Sequence, residues 1–411
     1  MLAICQVDEK QLWDGLMSFR RLGRDHKGGI TRLALSPEDM KARGRLLEYM
    51  KDAGLEVRVD EVGNIIGRLE GKVPDAPAVI AGSHIDTVIN GGPFDGSLGV
   101  IGAVEAVRAL IKAGISMTHP IEVISFQDEE GVRFGSGYTG SKGMFGKISR
   151  ETLGLKDDQG ITYKEAYEQA GFIPADFHKA ARAPEDIKAY IEMHIEQSRQ
   201  LEEQQLSVGV VKDIQGPLWL QVNIKGMADH AGATPMTIRS DAALAMAEVM
   251  LEVEAAASEE GGVGTVGKLK VFPDGINIIP GEAAFSIDFR HTITAKRDRM
   301  LSRVKQCFQE QEKKRGVHIE YQITKQVEPA SCSEEIRKVI ADSCVSAGLP
   351  VYEMNCGAGH DALILGEYVP FGMIFVRSRQ GISHHPDEWS DEADCVNGAN
   401  VLLETIRTLA E

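Results

Sequence analysis

The sequence predicts an α/β protein in which one domain, with a mixed and largely parallel sheet, is interrupted by an inserted ferredoxin-like domain. Three observations support this prediction. The chain has 411 residues, more than one compact domain usually holds. Strand and helix patterns alternate towards both ends of the chain, as in parallel sheets. Between residues 213 and 329 the order changes to βαββαβ. We therefore expect residues 1–212 and 330–411 to form a discontinuous domain around the inserted one.

The first part of the chain alternates between helices and strands. Ser36 and Pro37 form a helix start and Gly54 follows the predicted end, so we expect a helix of about four turns there. The elements predicted after it are strands over 55–59, 64–69 and 78–81, a helix over 97–113 and a strand over 121–126. This succession of buried strand, helix and strand favours parallel pairing.

The middle of the chain predicts the inserted domain, and the α/β pattern then returns. The inserted elements are strands over 218–224, 263–272, 283–289 and 317–323, with helices over 239–257 and 296–314. Their order is typical of a ferredoxin-like sandwich. The last predicted elements are a helix over 333–347, a strand over 371–376 and a helix over 391–409.

Composition argues against several classes of protein. The chain has 61 acidic and 45 basic residues and therefore a net charge of −16, which argues against nucleic acid as a partner. No apolar run approaches the roughly 18 residues that span a bilayer, so we expect no membrane association. Residues 1–10 reach Asp8 and Glu9 without room for a secretory apolar segment, which favours a cytoplasmic protein. The six cysteines are scattered without a Cys-x-x-Cys motif and are expected to be free thiols.

The first candidate site follows the predicted strand 78–81. His84 and Asp95 come after it, where side chains of an open α/β sheet project into the ligand-binding crevice. Asp86 is two residues beyond His84 on an extended segment, so both side chains would share a face and Asp86 could hydrogen-bond the imidazole. A loop with an internally satisfied histidine is the alternative interpretation.

The second candidate site is the acidic segment after strand 121–126. Glu129 and Glu130 are adjacent and would point to different faces. One could then bind a metal while the other accepts a proton from water. A solvated acidic turn is the alternative.

Two further histidine segments complete the set. His194 is late in a strand-like run, and residues 196–205 predict a polar helix. His384 and His385 lie in a loop after strand 371–376. Three imidazoles, one aspartate and one glutamate suffice for two divalent ions that share the aspartate.

These segments together resemble the M20 metallopeptidase superfamily over nearly the whole chain. The motifs that carry the resemblance are Ser83-His84-Ile85-Asp86, Gly92-Pro93-Phe94-Asp95-Gly96, Glu129-Glu130-Gly131, His194-Ile195-Glu196-Gln197 and Ser383-His384-His385-Pro386-Asp387-Glu388. The segments 94–100 and 226–236 resemble its amidase, hydantoinase and carbamoylase branch in particular. That branch includes N-carbamoyl-L-amino acid hydrolases, allantoate amidohydrolases and β-ureidopropionases.

The resemblance implies a role for each candidate ligand. Asp95 would bridge two divalent ions, which His84 and His194 complete on one side and Glu130 and His384 on the other. Glu129 would be the catalytic base, with Asp86 as a second catalytic residue. The Ser-His-x-Pro-x-Glu pattern selects His384, although His385 is adjacent to it. Imidazole and carboxylate ligands suit Zn, Mn, Co and Ni alike.

The resemblance also implies residues that bind the substrate. Arg290 would grip a carboxylate, and Gln197, Asn277 and the backbone of Gly359 would donate or accept hydrogen bonds. His230 would reach the site of a partner subunit and stabilise the developing oxyanion. The inserted domain would close over the site and would pair two subunits into a homodimer.

The implied reaction is hydrolysis of N-carbamoyl-L-amino acids to an L-amino acid, ammonia and carbon dioxide. Allantoate amidohydrolase or β-ureidopropionase activity, or another amidase or peptidase activity, is the alternative within the same fold. A non-catalytic binding protein is the alternative from another class. The presence of all five ligands and Glu129 argues against it.

Overall fold

The computed structural model describes residues 5–73 and 75–411. Residues 1–4, the start of the segment that predicts a cytoplasmic protein, lie outside the described residues. The chain divides into two compact units. One runs up to Lys212 and resumes over Cys332–Glu411, and the other is Asp213–Ser331. We call them the catalytic unit and the inserted unit.

Helices occur in both units and follow the sequence signals closely. Ser36 caps α2 by accepting a hydrogen bond from the Asp39 amide, and Pro37 takes its first position, as the sequence predicts. The helices are α1 (Glu9–Phe19), α2 (Pro37–Asp52), α3 (Ser97–Lys112), α4 (Thr139–Met144), α5 (Arg150–Gly154), α6 (Tyr163–Gln169), α7 (Gln200–Glu203), α8 (Ala242–Glu260), α9 (Thr294–Arg315), α10 (Glu334–Ser346), α11 (Asp361–Leu365) and α12 (Glu392–Ala410).

The strands form a separate sheet in each unit. They are β1 (Glu56–Val59), β2 (Ile65–Leu69), β3 (Ala78–His84), β4 (Ile121–Phe126), β5 (Ile187–Ile195), β6 (Val208–Ile214), β7 (Gly216–Lys225), β8 (Val263–Phe272), β9 (Glu282–His291), β10 (His318–Gln326), β11 (Ala330–Ser331), β12 (Glu353–Cys356) and β13 (Phe371–Val376).

The catalytic unit is built on a mixed sheet with the order β1-β2-β4-β3-β5-β13-β6. The four central strands β4, β3, β5 and β13 pair in parallel, whereas the pairs β1–β2, β2–β4 and β13–β6 are antiparallel. The predicted α/β class with a mixed sheet is therefore confirmed, and the parallel pairing is concentrated at its centre. Because parallel strands end at the same edge, their carboxyl ends gather the residues that follow them.

Burial on both faces explains why the central strands have few polar residues. All seven residues of β3 and all six of β4 are buried. Helix α3 follows β3 and is buried from Ser97 to Leu110, so it packs as an inner layer of the unit. Such strands are rich in apolar residues, as these two sequences are.

The inserted unit has the element order β7-α8-β8-β9-α9-β10. Its antiparallel sheet has the strand order β10-β7-β9-β8, which is the ferredoxin-like arrangement that the βαββαβ pattern predicts. On β9, Ala283, Phe285, Ile287 and Phe289 are buried and alternate with partly exposed residues. The buried face of the sheet packs against residues of α8 and α9.

The predicted polar helix over 196–205 is wrong for most of its length. Only α7, four residues long, is helical there. Gln197 has a left-handed φ of 57°, which breaks the helix before it starts. The Glu196 carboxylate accepts hydrogen bonds from the amides of Gln200 and Leu201, at 2.8 and 3.1 Å, and so caps the short helix instead of lying within it.

Two further predictions concern the whole chain. All six cysteines are free thiols, as expected from their spacing. Among the described residues, no helix combines the length and the apolar character that crossing a bilayer requires.

Candidate metal centre

The carboxyl ends of the parallel strands bring the predicted ligands of the catalytic unit to one edge of the sheet. His84 ends β3 beside Phe126 of β4, and His194 pairs with Phe375 of β13 near the end of β5. The loops that leave these strand ends carry the other predicted ligands. Asp95 precedes α3, Glu130 follows β4, and His384 follows β13.

Asp95 lies at the centre of this cluster, and its two carboxylate oxygens face different partners. Oδ1 lies 3.4 Å from Nε2 of His84 and 3.2 Å from Nε2 of His194. Oδ2 lies 3.2 Å from Nε2 of His384, which in turn is 3.7 Å from Oε1 of Glu130. We call His84, His194 and Asp95 the first ligand group, and Asp95, Glu130 and His384 the second.

Each ligand group has the spacing of a metal site. In both groups one donor atom per residue lies within 4.8 Å of the others. His84, Glu129 and Glu130 form a third set with the same spacing. Oε1 of Glu130 is buried without a hydrogen-bond partner, which a bound cation would provide. Imidazole nitrogens and carboxylate oxygens suit divalent transition metals, so the residues fit two such ions that share Asp95.

Backbone carbonyls fix the orientation of two of the imidazoles. Nδ1 of His84 lies 3.1 Å from the carbonyl oxygen of Asp86, and Nδ1 of His194 lies 2.9 Å from that of Ile195. A carbonyl oxygen only accepts, so each Nδ1 carries the proton and each Nε2 keeps its lone pair. The amide of Gly96 donates to Nε2 of His194 at 3.1 Å, which agrees with this tautomer. Both rings therefore present the nitrogen that a metal requires.

Gly96 allows Asp95 and His84 to approach each other. It has a φ of 61°, in the left-handed region that favours glycine. A Cβ at this position would lie 2.5 Å from atoms of the His84 ring. Glycine is thus required at position 96 for two reasons: the backbone is left-handed, and a Cβ would collide with the His84 ring.

Asp86 has partners in addition to the His84 imidazole that the sequence predicts. Its carboxylate oxygens accept hydrogen bonds from the amides of Glu129 and Glu130, both at 3.2 Å. Nδ1 of His84 lies 3.5 Å from Oδ1 of Asp86 and 3.1 Å from its backbone carbonyl oxygen. Because Asp86 lies just beyond β3, it joins the first histidine loop to the turn that carries both glutamates.

Burial and neighbouring charges shift the pKa values of these groups in opposite directions. Burial raises the pKa of Glu129 well above its usual range; His84 opposes this shift and Glu130 adds to it. Burial and Asp95 raise the pKa of Glu130 to about 7. For Asp95, burial raises the pKa, but the three neighbouring imidazoles lower it by more, so its pKa lies well below its usual range. Its hydrogen bond to His384 raises the pKa of that imidazole to about 9.

Glu129 is suited to the role of base. Its side chain is 7% exposed, and Oε2 lies 3.7 Å from Nε2 of His84. A buried carboxyl group whose pKa is raised can both accept a proton from water and return it near neutral pH. Glu130, by contrast, faces His384 and belongs to the second ligand group.

The structure distinguishes the two adjacent histidines of the last loop. His384 has a left-handed φ of 56° and faces Asp95 and Glu130. His385 instead accepts a hydrogen bond from the Asp387 amide at 3.2 Å. Of this pair, only His384 belongs to a ligand group among the described residues. The geometry favours His384 as the ligand.

Gln197 contacts the ligand cluster directly. Its Nε2 donates to Oδ2 of Asp95 at 2.8 Å and contacts Oγ of Ser383 at 3.2 Å. Its Oε1 is buried without a hydrogen-bond partner. Gln197 therefore combines two features: its left-handed backbone is incompatible with the predicted helix, and its side chain contacts Asp95.

A buried group around Gly359 was not predicted from the sequence. His360 is 2% exposed, its ring centroid lies 4.3 Å from that of His194, and its Nε2 has no hydrogen-bond partner. Asp361 is fully buried and accepts a hydrogen bond from Ser141 at 2.6 Å. A Cβ on Gly359 would lie 2.1 Å from the Tyr138 hydroxyl. The adjacent His360-Asp361 pair is the only sequence signal that could have indicated this group.

The remaining predicted substrate residues belong to the inserted unit. His230 and Asn277 are exposed, and the Asn277 carbonyl accepts a hydrogen bond from the amide of Ala231. Nδ1 of His230 accepts from the amides of Gly232 and Ala233, both at 3.1 Å. Arg290, partly buried near the end of β9, makes an ion pair with Asp288 at 2.8 Å. Their roles in substrate binding stay predictions.

Comparison with known proteins agrees with these motifs. The family model described as Peptidase family M20/M25/M40 matches residues 80–408. The N-carbamoyl-L-amino acid amidohydrolase of Geobacillus stearothermophilus is 43% identical over 406 residues, which is 98% of this chain and 99% of that protein. The allantoate amidohydrolase of Escherichia coli (strain K12) is 34% identical over 98% of this chain and 97% of its own.

A solved structure is similar along the same length. It is an amidase of the hydantoinase/carbamoylase family from Burkholderia multivorans, with a TM-score of 0.94 and 34% sequence identity. The match covers 99% of this chain and 98% of that one. Sequence and fold similarity therefore extend over both units.

Proposed function

The chain belongs to peptidase family M20/M25/M40, and we propose that it hydrolyses the carbamoyl C–N bond of N-carbamoyl-L-amino acids. The products are an L-amino acid, ammonia and carbon dioxide. The observation that carries the proposal is the division of partners around Asp95, with two imidazoles at one oxygen and His384 with Glu130 at the other. The 43% identity to a carbamoyl amino acid hydrolase supports the substrate.

The proposed metal centre holds two divalent ions, one in each ligand group. Zn, Mn, Co and Ni all suit these donors. When bound, the ions polarise the substrate carbonyl and lower the pKa of the attacking water. His84 and His194 are already oriented for this by their backbone contacts, so the first ligand group needs little rearrangement.

Glu129 moves the proton in the proposed reaction. Its carboxylate takes a proton from the water that attacks the ureido carbon. It then returns the proton to the amine of the leaving amino acid as the C–N bond breaks, and the carbamic acid that remains decomposes to ammonia and carbon dioxide. Burial raises the pKa of Glu129, which makes its carboxylate a better acceptor of the proton from water. Asp86 keeps the Glu129 backbone in place through its amide contact.

The substrate carboxylate is proposed to bind Arg290. A guanidinium group offers two parallel hydrogen bonds to a carboxylate, and the side chain of Arg290, which is ion-paired with Asp288, is 29% exposed. Asn277, Gln197 and the Gly359 backbone would orient the ureido group. His230, which is exposed, would stabilise the oxyanion in the site of a partner subunit.

We further propose that the inserted unit pairs two chains into a homodimer. Leu251 of α8 is 63% exposed, and Val263 and Leu269 of β8 are 48% and 47% exposed. β8 is also an edge strand of its sheet, with unpaired backbone groups that a second copy could bind. Light scattering should give the mass of two chains, and Leu251→Lys should shift it towards one.

Allantoate hydrolysis is the second candidate function. Allantoate also combines ureido groups with a carboxylate, so the same ligand groups, Glu129 and Arg290 would serve it. The 34% identity to an allantoate amidohydrolase supports it less strongly than the 43% identity supports the carbamoyl amino acid. A non-catalytic binding protein would show no metal-dependent ammonia release.

One assay separates these functions. Chelated protein is reloaded with Mn or Co and tested for ammonia release on N-carbamoyl-L-methionine, its D-isomer and allantoate, and for cleavage of a dipeptide. The proposal predicts metal-dependent turnover that is fastest with the L-carbamoyl compound. Preference for allantoate would assign the second function, and inactivity on every ureido substrate would contradict both.

A further inference from the structure

We propose that Glu388 is a positioning residue that fixes the bridging ligand Asp95 and the loop of His384 relative to each other. The inference rests on the proposed function only in that it needs the two ligand groups to bind metal. Glu388 belongs to neither ligand group, so it acts through their backbone and through Ser383.

The contacts of Glu388 join two loops that are far apart in the sequence. Its Oε1 accepts hydrogen bonds from the amides of Phe94 and Asp95, at 2.9 and 3.0 Å. Its Oε2 accepts one from Oγ of Ser383 at 3.0 Å. One carboxylate thus links the backbone of the bridging ligand to the residue just before His384.

The space around Glu388 is fitted to this side chain. Glu388 is 1% exposed. A Cβ on Gly92 would lie 2.2 Å from its Cδ and 2.3 Å from its Oε1, so a side chain at that position would displace the carboxylate. Such close packing restricts the carboxylate to one position. A residue that fixes the distance between two loops must be held in this way.

The second ligand group depends on this link more than the first does. Each imidazole of the first group is fixed by a backbone carbonyl of its own strand end. His384 has a side chain that is 51% exposed, on a loop residue with left-handed φ. Ser383 connects that loop to both acids, because its Oγ lies 2.9 Å from Oδ2 of Asp95 and 3.0 Å from Oε2 of Glu388. Loss of Glu388 should therefore loosen the second group selectively.

The test compares metal binding by three variants of the full chain. Glu388→Ala removes all three hydrogen bonds. Glu388→Gln keeps an oxygen that accepts from both amides and replaces only the charge and the Ser383 contact. Asp387→Ala is the matched control, because the neighbouring side chain is 77% exposed. Metal content after gel filtration is measured by mass spectrometry, and Mn²⁺ affinity is measured by titration of the apoprotein.

The proposal predicts that Glu388→Ala binds one of its two ions about 10- to 100-fold more weakly, as is typical when a partner of a metal ligand is removed. Glu388→Gln should stay within a few-fold of the wild type, and Asp387→Ala should equal it. Unchanged affinity for both ions in Glu388→Ala would overturn the proposal. Equal losses in the Ala and Gln variants would also overturn it, since charge and not position would then matter.

A second variant covers the case in which Glu388→Ala does not fold. Gly92→Ala places a Cβ 2.2 Å from Cδ of Glu388, so it should displace the carboxylate and also weaken one ion selectively, whereas equal retention of both ions would overturn the proposal. Circular dichroism of the apoproteins monitors folding. The metal titration uses no substrate, so its outcome is independent of which ureido compound the enzyme hydrolyses.

Discussion

The ligand cluster of the catalytic unit and the predicted substrate residues of the inserted unit are built in opposite ways. His84 and His194 are each 1% exposed and Asp95 is 5% exposed. His230 and Asn277 are exposed. In the first region, strand ends and backbone carbonyls fix the side chains before any ligand binds. In the second, the side chains lie on an accessible surface.

This difference fits the proposal that the buried cluster performs the chemistry and that the accessible residues contact the substrate. Buried charges are costly unless they are paired, so the ligand cluster needs the full support of a folded core. Residues that bind a small anion must stay accessible until the anion arrives. We therefore expect loss of Glu129 to lower kcat, whereas loss of the carboxylate contact of Arg290 should mainly raise KM.

The largest effect is expected from Glu129→Gln. This change removes the base but keeps a side chain of the same size, so both ions should remain bound. We expect kcat to fall about 10²- to 10⁴-fold, the usual contribution of a general acid–base group. Metal content and turnover measured on one preparation check this. Glu203→Gln, at an exposed position of α7, should leave both unchanged, and near-normal turnover of the Glu129 variant would break the assignment.

Arg290→Ala should have the next largest effect and should sharpen the contrast between the units. Loss of a charged partner for the substrate carboxylate should lower kcat/KM about 100-fold, mainly through KM. The matched control is N-carbamoyl-L-methioninamide, which lacks the carboxylate and should respond little to the substitution. Arg290→Lys should recover only part of the activity, because lysine keeps the positive charge but cannot form the paired hydrogen bonds. An equal loss with the amide substrate would show that Arg290 acts on something else.

His384→Ala and His385→Ala test the boundary of the buried cluster. His384 faces Asp95 and Glu130, whereas His385 is bonded to the Asp387 amide. We expect the first variant to retain one metal ion per chain after gel filtration and the second to retain two. The reverse result would transfer the ligand role to His385.

The smallest predicted effect is a release of protons when metal binds. Hydrogen bonding to Asp95 raises the pKa of His384 to about 9, so in the apoprotein this imidazole is protonated below that pH. A metal binds only the neutral ring, and therefore affinity should fall as the pH falls below about 9. At pH 7, titration with Mn²⁺ should release about one proton more from the wild type than from His384→Ala. A pH-stat measures this, and equal release would contradict the predicted pairing.

Much of the catalytic unit could be predicted because its signals are local. Mainly apolar runs marked β3, β4 and β13, and the ligands lie at or after the ends of strands that a parallel sheet aligns at one edge. The cap at Ser36 placed α2 to within a residue. The grouping of the five ligands and the choice of His384 needed the family resemblance as well.

The remaining features depend on contacts between distant residues. The helix predicted over 196–205 failed because Gln197 turns into a left-handed conformation to reach Asp95. The partners of Asp86 are amides 43 and 44 residues away, and those of Glu388 are 293 and 294 residues away. No spacing rule connects such positions. The substrate roles of His230, Asn277 and Arg290 came from the resemblance alone.

The most direct test of the account is anomalous diffraction from crystals of the Mn-loaded protein. The account predicts two peaks about 3.5–4 Å apart, with one carboxylate oxygen of Asp95 on each. His84 and His194 should complete one site, and Glu130 and His384 the other. A single peak, or two peaks that do not share Asp95, would contradict it.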